Sequence, residues 1–361
     1  MVYRWARYWP VLTVIVMAGV GLIFGAFFAG EEEVLDRLVT VSQVTTQEIV
    51  QPRIIQLNND GSLAAIHVNS STDSLRNSLR LYETAESQVR WELFPEERTF
   101  VEGYMLGFTP DSSAFVITGR DLESNDTYIW YLSADNGETV DEIAIGENES
   151  ALDATSSRAM TRSEDRTLNI YDRNSGEAVL SLEFPRRISF ARFLPESDRL
   201  LVAHGAPDVS GYAIYLVDMD TTEVGEPDFI VPNLPTVEAT RVLIGDEETH
   251  MAVGVIDGQA VVVIDLESGE KVLEIPRSEL PADKVRDPRI VGFGFINESQ
   301  DLTYLSSDGT LYAVNLETGN PLESFDTSNG ALPNMMAVSV DGHIVGVVND
   351  EAISFWTDGL E

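Results

Sequence analysis

Short runs of alternating apolar and polar residues, separated by polar turns, recur from about residue 50 to the C-terminus. Runs of this kind, bounded by Gly, Pro, Asn and Asp, are typical of β-strands joined by hairpins. One phrase appears three times, as LNIYDRNSGEAVLSLEF at 168–184, VVVIDLESGEKVLEIPR at 261–277 and LYAVNLETGNPLESFDT at 311–327. Each copy predicts a strand ending in Asp or Asn, a turn closed by Gly, and a second strand.

The residue that ends the first strand of each hairpin sets the register of a longer repeat. Seven such anchors align at a mean spacing of about 45 residues: Glu83, Ser133, Asp172, Asp218, Asp265, Asn315 and, less cleanly, Trp356. A further strand signal precedes most anchors, as in FTPDSSAFVITG at 108–119 and VSVDGHIVGVV at 338–348. Four short strands per unit, repeated seven times, predict an all-β, seven-bladed β-propeller. Six or eight blades remain alternatives, because the first and last units are weak.

Ring closure is predicted from the two ends of the repeat. The last unit stops straight after the strand AISFW, which leaves it without an outermost strand. The stretch LVTVSQVTT at 38–46 has strand character but no upstream partner. We therefore predict that this N-terminal strand completes the seventh blade beside 353–356.

The phrases VSVDGHIVGVVNDEAISFWTDG and FTPDSSAFVITG resemble the repeats of tryptophan–aspartate (WD) propellers. The phrase LYAVNLETG also resembles the hairpins of quinoprotein-like propellers, and the resemblance covers residues from about 50 to 361. Most Gly-His and Trp-Asp signature dipeptides are absent, so the chain is similar to a divergent, prokaryote-style member. The resemblance implies a binding platform rather than one chemistry.

An apolar N-terminal segment precedes the repeats. Residues 10–29 carry no charge, and as a helix they would span about 30 Å, the thickness of a bilayer core. We predict a cytoplasmic tail at 1–8, a transmembrane helix at 9–29, a juxtamembrane linker at 30–37 and the propeller at 38–361. Basic residues before the segment and acidic ones after it put the N-terminus in the cytoplasm and the propeller on the periplasmic or extracellular side of the cell (inner) membrane. The alternative is a cleaved signal peptide, but Phe27 or Phe28 would occupy the −3 position of the cleavage sites.

Two sets of residues in this segment have predicted roles. The interfacial anchors are Arg4, Trp5, Arg7, Tyr8 and Trp9. A stripe of small residues that would let another helix approach closely consists of Gly21, Gly25 and Ala29.

Composition excludes several classes of function. A net charge of −37 argues against nucleic acid as a partner, because phosphates are neutralised by Lys and Arg. The absence of cysteine removes disulfides, thiolate nucleophiles and Cys-type metal sites. The four histidines, His67, His204, His250 and His343, fall in two pairs at opposite ends of their strands, so we expect no shared metal site. We predict no cofactor, metal or catalytic residue.

One region departs from the acidic background. Residues 158–199 hold eight arginines and seven acidic residues. Because Arg is favoured at protein interfaces, we predict a docking patch there. Its members are Arg158, Arg162, Arg186, Arg187 and Arg192.

These observations predict a non-catalytic, membrane-anchored propeller that acts as an accessory, scaffold or assembly subunit of a membrane protein complex of the respiratory, photosynthetic or envelope-assembly type. Its partners would be membrane protein subunits, contacted through the helix and the propeller flank, and the lipid bilayer. The alternative is a ligand-binding, hydrolytic or quinoprotein-like propeller that acts at the mouth of the central channel.

Overall fold

The computed structural model is a ring of seven four-stranded antiparallel sheets. It describes residues 39–45, 52–69, 77–94, 99–121, 124, 126–194, 197–207, 210–232, 234, 241–245, 248–255, 258–280, 285, 287–296, 300–327, 331–349 and 352–357. A seven-bladed ring confirms the predicted architecture and excludes the six- and eight-bladed alternatives.

The first four blades follow one another along the chain. Blade 1 holds β2 (Pro52–Leu57), β3 (Leu63–Asn69), β4 (Asn77–Glu83) and β5 (Gln88–Leu93). Blade 2 holds β6 (Thr99–Phe108), β7 (Ala114–Arg120), β8 (Thr127–Ser133) and β9 (Thr139–Ile145). Blade 3 holds β10 (Glu149–Ala154), β11 (Arg158–Ser163), β12 (Thr167–Asp172) and β13 (Ala178–Glu183). Blade 4 holds β14 (Ile188–Leu194), β15 (Arg199–Gly205), β16 (Gly211–Asp218) and β17 (Phe229–Pro232).

The last three blades complete the ring. Blade 5 holds β18 (Arg241–Ile244), β19 (His250–Gly254), β20 (Ala260–Asp265) and β21 (Lys271–Pro276), followed by a short 3-10 helix at Arg277–Glu279. Blade 6 holds β22 (Ile290–Ile296), β23 (Asp301–Ser306), β24 (Thr310–Asn315) and β25 (Pro321–Asp326). Blade 7 holds β26 (Pro333–Val338), β27 (Ile344–Asn349), β28 (Ala352–Thr357) and, as its outermost strand, β1 (Val39–Thr45).

The N-terminal strand closes the ring as predicted. β1 pairs antiparallel with β28, from Val39 opposite Thr357 to Thr45 opposite Ala352. The pairing covers the edge that β28 would otherwise expose, and it joins the two ends of the propeller chain.

The recurring hairpin phrase is explained by a side-chain cap on the turn. The Asp265 carboxylate accepts hydrogen bonds from the Ser268 backbone N–H at 2.7 Å and from its hydroxyl at 2.6 Å. Asp172 caps Ser175 and Asn315 caps Thr318 in the same way. The glycine that closes each turn has a positive φ, which is 72° at Gly269. The turn residues thus fix the register of each hairpin.

The hydrophobic core lies between neighbouring blades. At the junction of blades 6 and 7 two glycines of β22 let the inner strands approach closely. A Cβ atom added to Gly292 would lie 2.5 Å from the Cβ of Met336, and one added to Gly294 would lie 2.4 Å from a methyl group of Val338. Any larger residue at these positions would force the two inner strands apart.

The ring has two faces. In each blade, the loop between the first and second strands and the loop between the third and fourth strands lie on the same face of the ring. We call this the lower face and the opposite one the upper face. Lower-face loops of adjacent blades touch, since Asp341 donates its backbone N–H to the Asn59 carbonyl and Asn59 in turn donates to Pro110. Because Val39 pairs with the end of β28, the N-terminal strand begins at the lower face.

The predicted transmembrane segment and its named residues lie outside the described residues. Within the described part of the chain, no helix is long and apolar enough to cross a membrane.

Candidate functional site

The seven first strands surround a central channel that contains a cavity of about 550 Å³. Most of the side chains that line it are apolar and a few are polar, while the exposed surface of the wall is polar and apolar in similar parts. The apolar wall includes Ile54, Leu106, Val255, Val291 and Met335, and the polar side chains are Gln56, Ser189, Arg192 and Arg241. Two of these residues, Ser189 and Val291, sit at register shifts where the inner strand bulges.

An inner strand has a partner on one side only, so backbone groups along its free edge face the channel. Arg192 of β14 satisfies three of these carbonyl groups. Its Nη1 donates to the carbonyls of Leu152 at 2.7 Å and Ala191 at 3.0 Å, and its Nε donates to Val242 at 3.4 Å. One side chain thereby links the inner strands of blades 3, 4 and 5.

Arg241 is the first residue of β18 and reaches across the channel wall. Its Nη1 donates to the Met336 carbonyl of blade 7 at 2.8 Å, and its guanidinium carbon lies 5.7 Å from the centroid of the Phe293 ring. Its Nε and Nη2 groups donate to no described residue, and neither does Nη2 of Arg192. These N–H groups are left for water or a ligand in the channel.

The charges of the channel are poorly balanced. No described carboxylate lies within 4.0 Å of either guanidinium. Burial and, to a lesser extent, the positive charge of Arg192 together lower the pKa of Arg241 to about 10, and the group stays protonated at neutral pH. Burial raises the pKa of Asp153, whereas Arg192 and two backbone N–H groups act against that rise.

Asp153 lies in the first strand of blade 3 and has a clear structural role. Its carboxylate accepts hydrogen bonds from the backbone N–H of Phe193 at 2.8 Å and of Ala154 at 3.0 Å. It therefore joins blades 3 and 4, and it lies further than 4.0 Å from Arg192.

The five arginines of the predicted docking patch are spread over three places. Arg158 is on the lower face, where its Nη1 contacts Asp198 at 2.7 Å. Arg162, Arg186 and Arg187 lie at the upper end of blade 3, and Arg187 contacts Asp165 at 3.3 Å. Arg192 is inside the channel. The five residues do not form one surface, and docking through the upper three stays a prediction.

The histidines lie where the repeat places them. His67 and His204 are near the upper ends of β3 and β15, whereas His250 begins β19 and His343 precedes β27 at the lower face. His204 contacts the Tyr215 hydroxyl at 2.9 Å. In the described portion of the chain, no three His, Asp or Glu residues are grouped to hold a metal ion.

Trp91 of β5 is a structural link between blades 1 and 2. Its indole N–H donates to the Ala134 carbonyl of blade 2 at 3.2 Å, and its ring covers Gly137.

Arg241 in the channel wall and Asp153 in the first strand of blade 3 were missed from the sequence alone. The available signal was a charged residue in the first strand of a blade, a position that faces the channel when the ring closes. Arg192 carries the same signal but was grouped with its neighbours in sequence.

Comparison with known proteins supports the fold alone. A solved structure described as the C-terminal WD40 domain of Sif2 matches with a TM-score of 0.54 and 12% sequence identity, over 85% of this chain and 81% of that one. No protein-family model matches the sequence, and the search among curated proteins gave no match. The molecule therefore has the fold of a seven-bladed β-propeller, which it shares with that WD40 domain.

Proposed function

We propose that this protein is a non-catalytic, membrane-tethered propeller that serves as an accessory, scaffold or assembly subunit of a membrane protein complex. The observation that carries the proposal is the path of the N-terminal strand. β1 starts at the lower face with Val39, and the uncharged segment ends at Ala29. The nine residues between them span at most about 30 Å. A bilayer that holds residues 10–29 would therefore face the lower side of the ring.

The charge of the lower face determines which kind of partner the ring can contact there. Exposed acidic side chains project from the hairpins between third and fourth strands, including Glu86, Asp135, Glu177, Asp220, Glu267 and Glu317. Such a surface is repelled by anionic headgroups and attracted to basic protein surfaces. We therefore favour a partner subunit with a basic extramembrane surface over direct contact between the ring and lipid.

We propose two further contacts between the protein and its partners, one through the membrane segment and one on the upper face of the ring. Gly21, Gly25 and Ala29 would pack against a helix of the complex, with the propeller on the periplasmic or extracellular side. Arg186 is exposed at the upper end of blade 3, away from the tether, where it could contact an acidic partner, and Arg187 beside it is exposed but contacts Asp165.

One truncation and one substitution test the tether. The full chain should fractionate with membranes and resist extraction by high salt, whereas a variant lacking residues 1–37 should be released and keep the melting temperature of the ring. Gly25→Ile in the full chain should stay in the membrane but lose its co-purifying subunit. Release of the full chain by salt, or retention of the truncated chain, would contradict the proposal.

A further inference from the structure

The two channel arginines have no ion pair with a described carboxylate, although the protein is acidic. Several arginines elsewhere do contact carboxylates, for example Arg80 with Glu92 at 2.7 Å and Arg173 with Asp141 at 2.7 Å. The chain has 60 acidic and only 23 basic residues, so carboxylates were abundant partners. Arg192 and Arg241 instead lie in the channel, near enough for their like charges to interact, with no described carboxylate within 4.0 Å.

Hydrogen bonds to the carbonyls of the inner strands do not use all the N–H donors of the Arg192 and Arg241 side chains. Carbonyl hydrogen bonds occupy Nη1 of each arginine and Nε of Arg192. The remaining donors form part of the fork that suits the two oxygens of a carboxylate or phosphate. An anion among them would relieve the repulsion between the two cations.

The rest of the wall limits what such an anion can be. The cavity of about 550 Å³ has the size of a small-molecule site. Away from the arginines, apolar side chains such as Leu106, Val291 and Met335 form one part of the wall, next to polar groups that include the Gln56 and Ser189 side chains. A bare inorganic ion would leave that apolar part uncovered, whereas an apolar chain would cover it.

We propose that the central channel binds a small amphipathic anion. Its carboxylate or phosphate head is held by Arg192 and Arg241, and its apolar body lies along the inner strands. This site goes beyond the proposed scaffold function and does not depend on the tether.

The test is isothermal titration of the full chain in nanodiscs of zwitterionic lipid. The probes are hexanoate and hexyl phosphate, which separate the two head groups, with hexan-1-ol as the uncharged control and acetate as the control without a tail. We expect saturable, stoichiometric binding of at least one hexyl anion, weaker binding of acetate, and none of hexan-1-ol.

Variants of Arg241 test whether the channel arginines hold the anionic head group. Arg241→Gln should weaken binding about tenfold or more, since a hydrogen bond to a charged group is lost. Arg186→Gln removes an exposed arginine outside the channel and should leave the affinity unchanged. Arg241→Lys keeps the positive charge and a long side chain in the channel, so it should bind with intermediate affinity. This variant also tests the inference if Arg241→Gln fails to fold.

Three results would overturn the inference. They are no binding of either hexyl anion by the wild type, equal affinity in the wild type and both Arg241 variants, or binding of hexan-1-ol as tight as that of hexanoate. Membrane fractionation of the same variants keeps the two proposals separate, because Arg241→Gln should not release the protein from membranes.

Discussion

The guanidinium of Arg241 donates a hydrogen bond at 2.8 Å to the carbonyl of Met336, which ties the first strand of blade 5 to that of blade 7. The two residues are 95 positions apart in sequence and come together only because the ring closes. The contact places a positive charge in the channel wall, with no carboxylate of the described residues within 4.0 Å of it.

Replacing this arginine should cost little stability. We expect Arg241→Met to change the free energy of unfolding by less than about 1 kcal/mol at low salt. The lost hydrogen bond, worth about 1 kcal/mol, is offset by relief of desolvation and of repulsion from Arg192. Urea titration of both proteins measures the difference. A loss above about 3 kcal/mol would show that the charge is compensated in the folded protein.

Ring closure should depend on β1 and not on the residues before it. A chain lacking residues 1–46 should lose several kcal/mol of stability or fail to fold, because the edge of β28 is opened. The matched control lacks residues 1–37 and keeps β1, so its melting temperature should equal that of the full chain. Equal melting of the two truncated proteins would show that β1 is dispensable.

The turn cap at Asp265 should make stability depend on pH. Hydrogen bonds from the Ser268 hydroxyl and backbone N–H lower the pKa of Asp265 below its usual value. A lowered carboxyl pKa contributes stability above the unfolded pKa of about 3.9, and the contribution is lost as the pH falls through the folded value.

The variant Asp265→Ala should therefore destabilise the protein by about 1 kcal/mol at neutral pH, and by less as the pH falls below about 4. Denaturant titrations at several pH values measure this trend. Glu267→Ala, in the same turn and without a described hydrogen bond from its side chain, is the control and should have no effect. A pH-independent loss in Asp265→Ala would rule out the carboxylate as the cap.

Close packing between blades 6 and 7 should not tolerate a methyl group at Gly294. Its added Cβ would lie 2.4 Å from Val338 of the neighbouring inner strand, so we expect Gly294→Ala to cost about 1–3 kcal/mol. Gly225→Ala, where an added Cβ meets nothing within 4 Å, is the control. Thermal melts of the two variants should differ by several degrees, and similar melting would mean that the inner strands adjust freely.

The sequence predicted features that are local or repeated. The caps at Asp172, Asp265 and Asn315 are set by residues three positions apart, so the hairpins and their number could be read directly. β1 was predicted because a blade lacked its fourth strand. The channel could not be predicted in this way, since Leu152, Arg192 and Arg241 come from three different blades. Grouping arginines by sequence joined Arg158 to Arg186, which the ring places on opposite faces.

Measuring which face of the ring is turned towards the membrane tests the central claim, a membrane tether at the lower face. The chain has no cysteine, so single-cysteine variants can be labelled uniquely. Glu267→Cys labels the lower face of blade 5, and Gln259→Cys labels the upper face of the same blade. Energy transfer from each label to an acceptor lipid is then measured on the full chain in vesicles. The account predicts more efficient transfer from position 267, and equal transfer, or more from position 259, would contradict it.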